Sequence, residues 1–294
     1  MEKKRFEKIY VEIINTCNMK CSFCKESKRK HKIMKTEEFE YVLLKIQPYT
    51  NLIALHVKGE PLMHPNLEKI LQICEKYNIL VNITTNGTLL LESVDILSKT
   101  RAVRQINISL HSMNKNEGKI LKSKEKYIED IFKAVQILNK NNNPYISYRL
   151  WNLKDISKND ENVYILNFLE NNYNKKNLIE DAKKNEFIKL DEKIYLNQDV
   201  EFVWPDLNIK KLNEKGTCYG LRNQLAILSN GDVVPCCLDQ DADIKLGNIF
   251  LENIDDILDS KRSKEIIKGF EEYKLIHKLC KTCGFATKLN RKNK

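Results

Sequence analysis

The alternation of short apolar runs with longer amphipathic stretches is the feature that most constrains the fold of this chain. It extends to about residue 190, and the apolar runs have the length of β-strands whereas the amphipathic stretches have the period of helices. Repeated strand–helix units place parallel strands side by side through helical crossovers. The pattern therefore predicts an α/β fold, either a barrel or an open sheet. The predicted strands cover residues 9–14, 52–57, 79–84, 106–110 and 145–150, and the predicted helices cover residues 36–46, 66–77, 92–98, 126–139 and 161–172.

The character of the sequence changes after residue 215. Residues 174–215 are polar, and we expect a sixth strand there at either 187–190 or 200–204. Apolar runs at 224–228 and 233–234 then flank Ser229-Asn230-Gly231-Asp232, and an Asn-Gly pair favours the positive φ angles of a type I′ hairpin turn. We therefore predict two domains, residues 1–215 with the strand–helix units and residues 216–294 with a small hairpin module.

Charge and hydropathy exclude several classes of protein. The 294 residues carry a formal net charge of +10, but acidic residues are interleaved with the basic ones, so we expect no specific nucleic-acid partner. No apolar run of about 18 residues occurs, and the first residues lack the apolar core of a secretory signal. We therefore expect no membrane span and a cytoplasmic, reducing location.

Nine cysteines in a reducing compartment indicate metal or catalytic use rather than disulfides. Three of them, Cys17, Cys21 and Cys24, have the spacing C-x3-C-x2-C directly after the first predicted strand, at the strand end where βα barrels assemble active sites. Three thiolates can hold three irons of a [4Fe–4S] cluster and leave one iron open for a non-protein ligand. A zinc site would need a fourth ligand.

Four segments at the ends of successive predicted strands together resemble the radical S-adenosylmethionine (radical SAM) family. They are the cysteine motif with Phe23 before its third cysteine, Lys58-Gly59-Glu60-Pro61, Thr85-Asn86-Gly87 and Ser109-Leu110-His111. In this order they are similar to the family's cluster motif, its GGEP motif, its TNG segment and its Ser-x-Asp segment. Lys58 stands in place of the first glycine of GGEP, and His111 stands in place of the aspartate.

The resemblance implies a partial (β/α)6 TIM-like barrel, followed by a small β-hairpin-plus-helix domain that binds a cluster. Cys17, Cys21 and Cys24 would hold a [4Fe–4S] cluster whose open iron takes the methionine part of SAM. Glu60 would accept a hydrogen bond from the SAM ammonium group. The other residues that the resemblance assigns to SAM binding are Phe23, Gly59, Asn86 and Ser109.

A second group of cysteines resembles the SPASM extension of the same family. Cys218, Gly231 and Cys236 match the start of that pattern, and Cys280 and Cys283 form a C-x2-C pair with no cysteine after it. The resemblance is to the truncated form called a twitch domain. It implies one auxiliary [4Fe–4S] cluster that these four cysteines close completely and that transfers electrons. Four thiolates also suit a structural zinc, which is the alternative.

Two cysteines lie outside these sets. Cys237 adjoins a predicted ligand, so in a strand its side chain would point to the opposite face, and we interpret it as a packing residue. The alternative is that Cys237 donates a hydrogen atom to a substrate radical, as in peptide-epimerising relatives. Cys74 lies among apolar residues of the second predicted helix, and we interpret it as a core residue.

Polar and aromatic residues near the predicted strand ends are the candidates for substrate contact. An arginine or a carboxylate there could orient a hydroxyl group or accept its proton. The candidates are Glu12, Arg149, Trp151, Trp204 and Asp206, with Arg149 and Cys237 as the catalytic candidates. For each of these residues, and for His56 and His64, ordinary packing or a surface position is the alternative, and His64 stands where it could cap a helix.

The resemblance implies a radical SAM oxidoreductase that cleaves SAM to a 5′-deoxyadenosyl radical and takes a hydrogen atom from a small sugar-like or cyclitol-like substrate. The cysteine arrangement is similar to that of single-cluster twitch enzymes that oxidise a cyclitol alcohol. We therefore expect a two-electron dehydrogenation with the auxiliary cluster as electron acceptor, and an external reductant such as flavodoxin or ferredoxin. The alternatives are a maturase that crosslinks or epimerises a ribosomal peptide and, in another class, a non-catalytic iron–sulfur or zinc redox protein.

Overall fold

The computed structural model describes residues 5–111, 123–151, 160–200, 203–210, 212–286 and 289, and it shows the predicted alternation of strands and helices. The strands are β1 (Lys8–Val11), β2 (Leu52–Ala54), β3 (Leu80–Thr85), β4 (Val103–Ser109), β5 (Tyr145–Leu150), β6 (Phe187–Asp191), β7 (Ile194–Gln198), β8 (Gln224–Ile227), β9 (Asp232–Val234) and β10 (Gly247–Asn248). The α-helices are α1 (Thr36–Ile46), α2 (Leu67–Lys76), α3 (Val94–Lys99), α4 (Lys124–Lys140), α5 (Asp160–Asn172), α6 (Leu178–Lys184), α7 (Ile254–Asp259), α8 (Lys261–Glu271) and α9 (Lys278–Lys281). None of the helices in these ranges combines the length and the apolar composition needed to cross a membrane.

The chain forms two compact units, each built from segments that are distant in sequence. The first unit comprises the described parts of Met1–Thr16, Lys25–Val81 and Val203–Lys294. The second comprises those of Cys17–Cys24 and Asn82–Phe202, so β3 contributes residues to both. The sequence predicted a domain boundary after residue 215, between two consecutive segments of the chain. That boundary stays a prediction.

In the first unit, β1 has a parallel neighbour on each side. Ile9 is the register partner of Ile53 in β2 and of Leu225 in β8. The hairpin strand β9 pairs antiparallel with β8, and β10 pairs antiparallel with β9. The hairpin of the predicted C-terminal module therefore continues the sheet that begins with β1 and β2.

The two faces of β1 are buried differently. Ile9 and Val11 are completely buried on one face. On the other face Tyr10 packs in a small apolar cluster whose further members are Ala54, Val57, Ala226, Leu228 and Val234. Because β2, β8 and β9 all contribute to that cluster, burial of apolar surface as well as strand pairing holds the hairpin to β1.

In the second unit, β5 lies between two parallel neighbours, β4 and β7. Ser109 of β4 is the register partner of Arg149, and Arg149 is the register partner of Asn197 of β7. Side chains that share a register position on neighbouring strands lie on the same face of the sheet. Ser109, Arg149 and Asn197 therefore form a polar row near the carboxyl ends of three adjacent strands.

The structure confirms most predicted elements, including a sixth strand at 187–190, which lies in β6. Helix α1 and strand β5 have the predicted bounds, and the other helices and strands up to residue 172 differ from prediction by a few residues. The sixth parallel strand is β7, at 194–198, whereas 187–190 lies in β6, which pairs antiparallel with β7. The described residues of 200–204 are not in a strand. The β6–β7 turn contains Glu192 and Lys193 and lacks the Gly, Asn or Pro that marks most turns in a sequence.

The turn between β8 and β9 also differs from its prediction. A type I′ turn needs positive φ at both central residues. Gly231 has a φ of +85°, but Asn230 is not among the residues with positive φ. The Gly231 N–H donates to the Leu228 carbonyl at 2.8 Å, so the chain turns over Leu228–Gly231 with glycine alone in the left-handed conformation. The predicted hairpin is confirmed, but the predicted type I′ turn is wrong.

Candidate cluster and cofactor sites

Amide groups surround the first sulfur of the loop that carries Cys17, Cys21 and Cys24 in the second unit. The backbone N–H of Met19 donates to Cys17 Sγ at 3.4 Å, and Asn86 Nδ2 donates to the same sulfur at 3.6 Å. The backbone N–H of Cys24 donates to the Cys21 carbonyl at 3.0 Å, which closes a turn between these two cysteines. Hydrogen bonds to cysteine sulfurs are a common feature of iron–sulfur sites. The loop therefore suits a metal cluster.

The Asn86 side chain fixes this loop to the end of β3. Its Nδ2 donates to Asn18 Oδ1 at 2.9 Å, and Asn18 Nδ2 donates to Thr88 Oγ1 at 2.9 Å. Asn86 Oδ1 in turn accepts from the Thr88 N–H at 3.0 Å and from its hydroxyl at 2.7 Å. Asn86, which the resemblance assigns to SAM contact, thus also holds Asn18, the residue next to Cys17. Sequence analysis missed Asn18, although its position beside a cysteine ligand is a signal for such a role.

Glu60 lies in the first unit and is only 2% exposed. Its N–H donates to the Thr16 carbonyl at 2.9 Å, and its Oε1 accepts from the Leu62 N–H at 3.1 Å, which caps the 3₁₀ turn Pro61–Met63. A carboxylate held in this way suits an ammonium partner, which would compensate its charge.

Gly59 permits a close approach between two loops of the first unit. Its φ is +81°, and a Cβ at this position would lie 2.4 Å from the carbonyl oxygen of Ile14. Because only glycine combines this φ with the missing Cβ, the segment that ends in Glu60 can lie directly against residues 14–16. Residue 16 immediately precedes Cys17, so the glycine matters for packing whether or not it contacts SAM.

The polar row of the second unit adjoins two aromatic residues. The Arg149 guanidinium lies over the Trp151 ring, 4.5 Å from its centroid, and Trp151 Nε1 donates to Asn197 Oδ1 at 2.7 Å. The backbone of Arg149 and Trp151 contacts His111 Nδ1, at 3.1 Å from the Arg149 carbonyl and 3.4 Å from the Trp151 N–H. Stacking on Trp151 restricts the rotamers of Arg149 and holds its guanidinium beside the polar row.

His111 and Phe23 are in contact, with their ring centroids 5.0 Å apart. Phe23 precedes Cys24, so this contact joins the cysteine loop to the end of β4 within the second unit. The imidazole of His111 is buried against backbone groups of β5. His111 therefore has a packing role at the position where the family has an aspartate.

In the first unit, Cys218, Cys236, Cys280 and Cys283 line one cavity. Apolar side chains form much of the remaining wall; they are Pro205, Pro235, Leu238, Ile244, Phe270, Leu279, Phe285 and Ala286. The structure thus brings together the four cysteines that the resemblance assigns to an auxiliary site, Cys280 from α9 and the other three from loops. Among the described residues, no group of three or more His, Cys, Asp or Glu side chains is close enough to hold a single metal ion.

The thiols of this cavity disfavour ionisation in the absence of a bound cation. Burial raises the pKa of Cys236 well above its ordinary value, and the neighbouring cysteines raise it further. Burial and Cys218 also raise the pKa of Cys283, to about 11, and burial raises the pKa values of Cys218 and Cys280. Four thiolates in an apolar cavity need a positively charged group that binds sulfur, and an iron–sulfur core supplies such a group. The donor set therefore fits a cluster.

The two remaining cysteines pack against apolar residues, Cys237 partly buried and Cys74 fully buried. Cys237 packs against the apolar cluster around Tyr10, and burial raises the pKa of its thiol, although a hydrogen bond with Tyr10 lowers it. Cys74 is completely buried in α2, and burial raises its pKa. The contacts of both residues agree with packing roles.

The structure gives several substrate candidates other partners. Glu12 is completely buried in a bidentate ion pair with Arg29, at 2.8 and 2.7 Å, so its role is structural. Asp206 lies 3.0 Å from Lys25; a hydrogen bond from the Asn208 N–H and the contact with Lys25 lower its pKa. These interactions give both carboxylates partners within the protein, and they favour the charged form of Asp206.

His56 and His64 both make contacts within the first unit. His64 Nδ1 accepts from the Asn66 N–H at 3.2 Å, as expected of a cap before α2, and His64 Nε2 lies 2.9 Å from the Met34 carbonyl. The ring of His56 packs edge-on against Tyr10, with centroids 5.4 Å apart. Trp204 is half-buried in the same unit.

Comparison with protein families decides the class of the chain. The sequence model of the Radical SAM superfamily matches residues 11–166, more than half of the chain. This chain belongs to the radical SAM superfamily. A second model, described as an iron–sulfur cluster-binding domain and named SPASM, matches residues 218–284. The chain is therefore an enzyme of the class that uses SAM and a [4Fe–4S] cluster, with further iron–sulfur binding in its C-terminal part.

Curated relatives match less than half of the chain. GTP 3′,8-cyclase of Aquifex aeolicus is 28% identical over 134 residues, which are 42% of this chain and 41% of that protein. An uncharacterised protein of Methanocaldococcus jannaschii is 27% identical over 136 residues. The chain thus spans about two fifths of the length of the curated relatives that it matches.

Solved structures match nearly the whole chain. BtrN in complex with AdoMet and 2-DOIA has a TM-score of 0.60 at 19% identity, over 97% of this chain and 94% of that chain. SuiB of Streptococcus suis, bound to its precursor peptide SuiA, has a TM-score of 0.62 at 17% identity, over 96% of this chain and 70% of that chain. These likenesses confirm the predicted α/β fold, a partial TIM-like radical SAM fold with a small C-terminal domain.

Proposed function

We propose that this radical SAM enzyme dehydrogenates an alcohol of a small sugar-like or cyclitol-like molecule. The observation that carries the proposal is the cavity lined by Cys218, Cys236, Cys280 and Cys283. Four thiolates close all four corners of one [4Fe–4S] cluster, and a closed cluster can accept an electron but cannot bind substrate. A two-electron oxidation that starts with loss of one hydrogen atom needs such an acceptor.

The first cluster is assigned to Cys17, Cys21 and Cys24, and SAM to Glu60, Phe23, Gly59, Asn86 and Ser109. When bound, SAM and this cluster together supply the group that takes a hydrogen atom from the substrate carbon. The chain's own residues do the positioning. Asn86 holds the cysteine loop through Asn18, and Gly59 lets the segment before Glu60 lie against residues 14–16. An external one-electron reductant such as flavodoxin or ferredoxin supplies electrons to the first site.

Arg149 is the proposed residue for orienting the substrate hydroxyl. Its guanidinium is held over Trp151, and Trp151 is held by Asn197, so the arginine is restrained before substrate binds. N–H donation to the hydroxyl oxygen stabilises the negative charge that develops as the hydroxyl proton leaves to solvent or a base. The balance is one hydrogen atom to the SAM-derived group, one proton to the medium and one electron to the auxiliary cluster.

The likeness to BtrN in complex with 2-DOIA supports this proposal, since it extends over 94% of that chain. The likeness to SuiB bound to a precursor peptide supports a second candidate function, modification of a ribosomal peptide, but it extends over 70% of that chain. The third alternative, a non-catalytic iron–sulfur or zinc redox protein, does not agree with membership in a family of SAM-using enzymes.

The test uses anaerobically reconstituted protein, SAM, dithionite and a panel of cyclitols and sugars deuterated at each carbinol carbon. We expect one substrate to give a carbonyl product, with deuterium in the released 5′-deoxyadenosine and one nucleoside per carbonyl. Arg149→Lys should lower kcat/KM for that substrate by about 100-fold. The matched control Arg104→Lys, whose guanidinium lies against Tyr145, should change it less than twofold. Deuterium transfer from a peptide instead of every member of the panel would contradict the proposal and favour the maturase.

A further inference from the structure

The turn that follows the proposed auxiliary ligand Cys236 holds the segment that follows Cys24 in sequence. Asp241 Oδ1 accepts from the Ser27 hydroxyl at 2.7 Å and from the Lys28 N–H at 3.0 Å. Both of these donors use the same carboxylate oxygen. Because hydrogen bonds to a charged acceptor are stronger than those between neutral groups, Asp241 is the main restraint on residues 27 and 28.

Gln240 holds the same segment at two further points. Arg29 Nε donates to the Gln240 carbonyl at 2.6 Å, and Gln240 Nε2 donates to the Lys25 carbonyl at 3.2 Å. Gln240 is 3% exposed, so these bonds lie away from solvent. The contacts of Gln240 and Asp241 with residues 25, 27, 28 and 29 are called the 25–29 contact below. All of these residues belong to the first unit.

The 25–29 contact continues into the buried pair of Glu12 and Arg29. The Glu12 carboxylate also accepts from the Lys58 N–H at 3.1 Å and from Ser229, through its N–H at 3.1 Å and its hydroxyl at 2.8 Å. The Lys58 ammonium donates to the Lys25 carbonyl, the same oxygen that Gln240 contacts. Lys58, which replaces a glycine of the family motif, therefore ties the segment before Glu60 to the residue after Cys24.

The turn that makes the 25–29 contact is itself rigidly folded. Asp239 is 1% exposed, and its two carboxylate oxygens accept from the N–H groups of Asp243 and Ile244, both at 2.8 Å. The Asp239 N–H donates to the Cys236 carbonyl at 3.3 Å. The turn is thus built on the backbone of a proposed auxiliary ligand, and it presents Gln240 and Asp241 from there.

We propose that Asp241 and Gln240 are positioning residues for the loop of the first cluster. They fix the chain where it leaves Cys24 and so make the order of that loop depend on the turn after Cys236. The proposal rests on the cysteine assignments made under the proposed function. It is independent of the substrate, and it goes beyond electron transfer because it gives the auxiliary segment a mechanical role.

The experiment measures amide hydrogen exchange and SAM affinity in reconstituted protein. Asp241→Ala and Ser27→Ala each remove one side of the same contact, and Asp243→Ala removes a neighbouring carboxylate that is not part of it. We expect exchange at residues 25–30 to rise about tenfold in both contact variants and to stay unchanged in the control, from the loss of a hydrogen bond to a charged group. SAM binding, followed by its effect on the EPR signal of the reduced cluster, should weaken about tenfold in the same two variants.

The outcomes separate this inference from the proposed function. Unchanged exchange at residues 25–30 in Asp241→Ala would overturn it, as would an equal rise in the control Asp243→Ala, since the effect would then not depend on the contact. If Asp241→Ala does not fold, Ser27→Ala decides from residues 25, 26, 28 and 30, because it leaves the auxiliary turn intact; residue 29 is left out, since its N–H donates to Ser27 Oγ at 3.2 Å. The exchange measurement does not require SAM cleavage, so failure of the proposed dehydrogenation would leave its result unaffected.

Discussion

Gly59 shows how a single residue determines the geometry of the site. A replacement by alanine would have to adopt a left-handed φ and would place its Cβ 2.4 Å from a backbone oxygen. Gly87 has a similar φ of +83°, but a Cβ there would meet the terminal carbon of the Ile131 side chain, which can rotate away. Alanine at either position would therefore have the same conformational strain. At position 59 its Cβ would clash with backbone, whereas at position 87 it would clash with a side chain.

We predict that Gly87→Ala lowers the free energy of unfolding by about 1–2 kcal/mol, the strain of a left-handed alanine. Gly59→Ala should lower the free energy of unfolding by more than this, because the backbone that its Cβ meets cannot move aside as the end of a side chain can. Urea unfolding of both variants, measured in parallel on cluster-free protein, gives the comparison. Equal losses of stability would show that the close approach of Gly59 to residue 14 has no energetic consequence.

The Asn86 side chain offers a second test at this scale. Asn86→Ala removes the donor to Cys17 Sγ and the link to Asn18, so the first cluster should lose iron to a chelator about 10–100-fold faster. The auxiliary site serves as an internal control, because its cysteines lie in the other unit and its iron should leave at the wild-type rate. Faster loss from both sites would indicate general destabilisation instead.

At the scale of elements, helix α1 begins with a charge-assisted cap. Glu38 accepts from the Lys35 N–H at 2.8 Å and from the Lys32 ammonium at 2.8 Å. Burial raises the pKa of Glu38, but these two hydrogen bonds and the charges of both lysines outweigh it, so the net pKa lies below its ordinary value. A lowered pKa in the folded state means that the charged carboxylate stabilises the fold.

We predict that Glu38→Gln lowers the free energy of unfolding by about 0.5–1 kcal/mol at pH 7. The stabilisation is complete above the unfolded pKa of about 4.3 and is lost as the pH falls through the lower, folded value. The difference between wild type and variant should therefore shrink as the pH falls below about 4.3. A difference that stays constant over this range, in thermal or urea unfolding, would show that the cap does not depend on the carboxylate charge.

The elements also show what can be predicted from the sequence. Amphipathic period and strand length locate α1 and β5 to the residue, since their patterns are local. The β6–β7 hairpin was not predicted, because its turn uses Glu192 and Lys193, and the pairing of β8 with β1 was not predicted, because it joins residues more than 200 positions apart. Ion pairs such as Glu12–Arg29 leave no signal either, because the spacing of the two residues does not follow the period of a helix or a strand.

At the scale of the whole molecule, seven of the nine cysteines fall into two sets. Resemblance to the radical SAM family and its SPASM extension predicted both sets, and the structure places the four C-terminal members around one cavity. The sequence did not predict the partners of the cysteine loops, because no motif includes them. These partners are Asn18 and the residues of the 25–29 contact.

We predict about eight irons per chain in the reconstituted wild type and about four in Cys218→Ala, because each [4Fe–4S] cluster holds four. The variant should still cleave SAM but should form no carbonyl product, since the electron acceptor is lost. Iron and zinc analysis together with product assays gives the result. About four irons and one zinc in the wild type would exclude the acceptor role of the auxiliary site.

The most direct test of the account is release of 5′-deoxyadenosine from SAM by the reduced, reconstituted protein. Wild-type protein should release it, and Cys21→Ala should release none while keeping the iron of the auxiliary site. Equal release by the two proteins, or intact SAM in the presence of a fully loaded first cluster, would contradict the assignment of Cys17, Cys21 and Cys24 as the site of the chemistry.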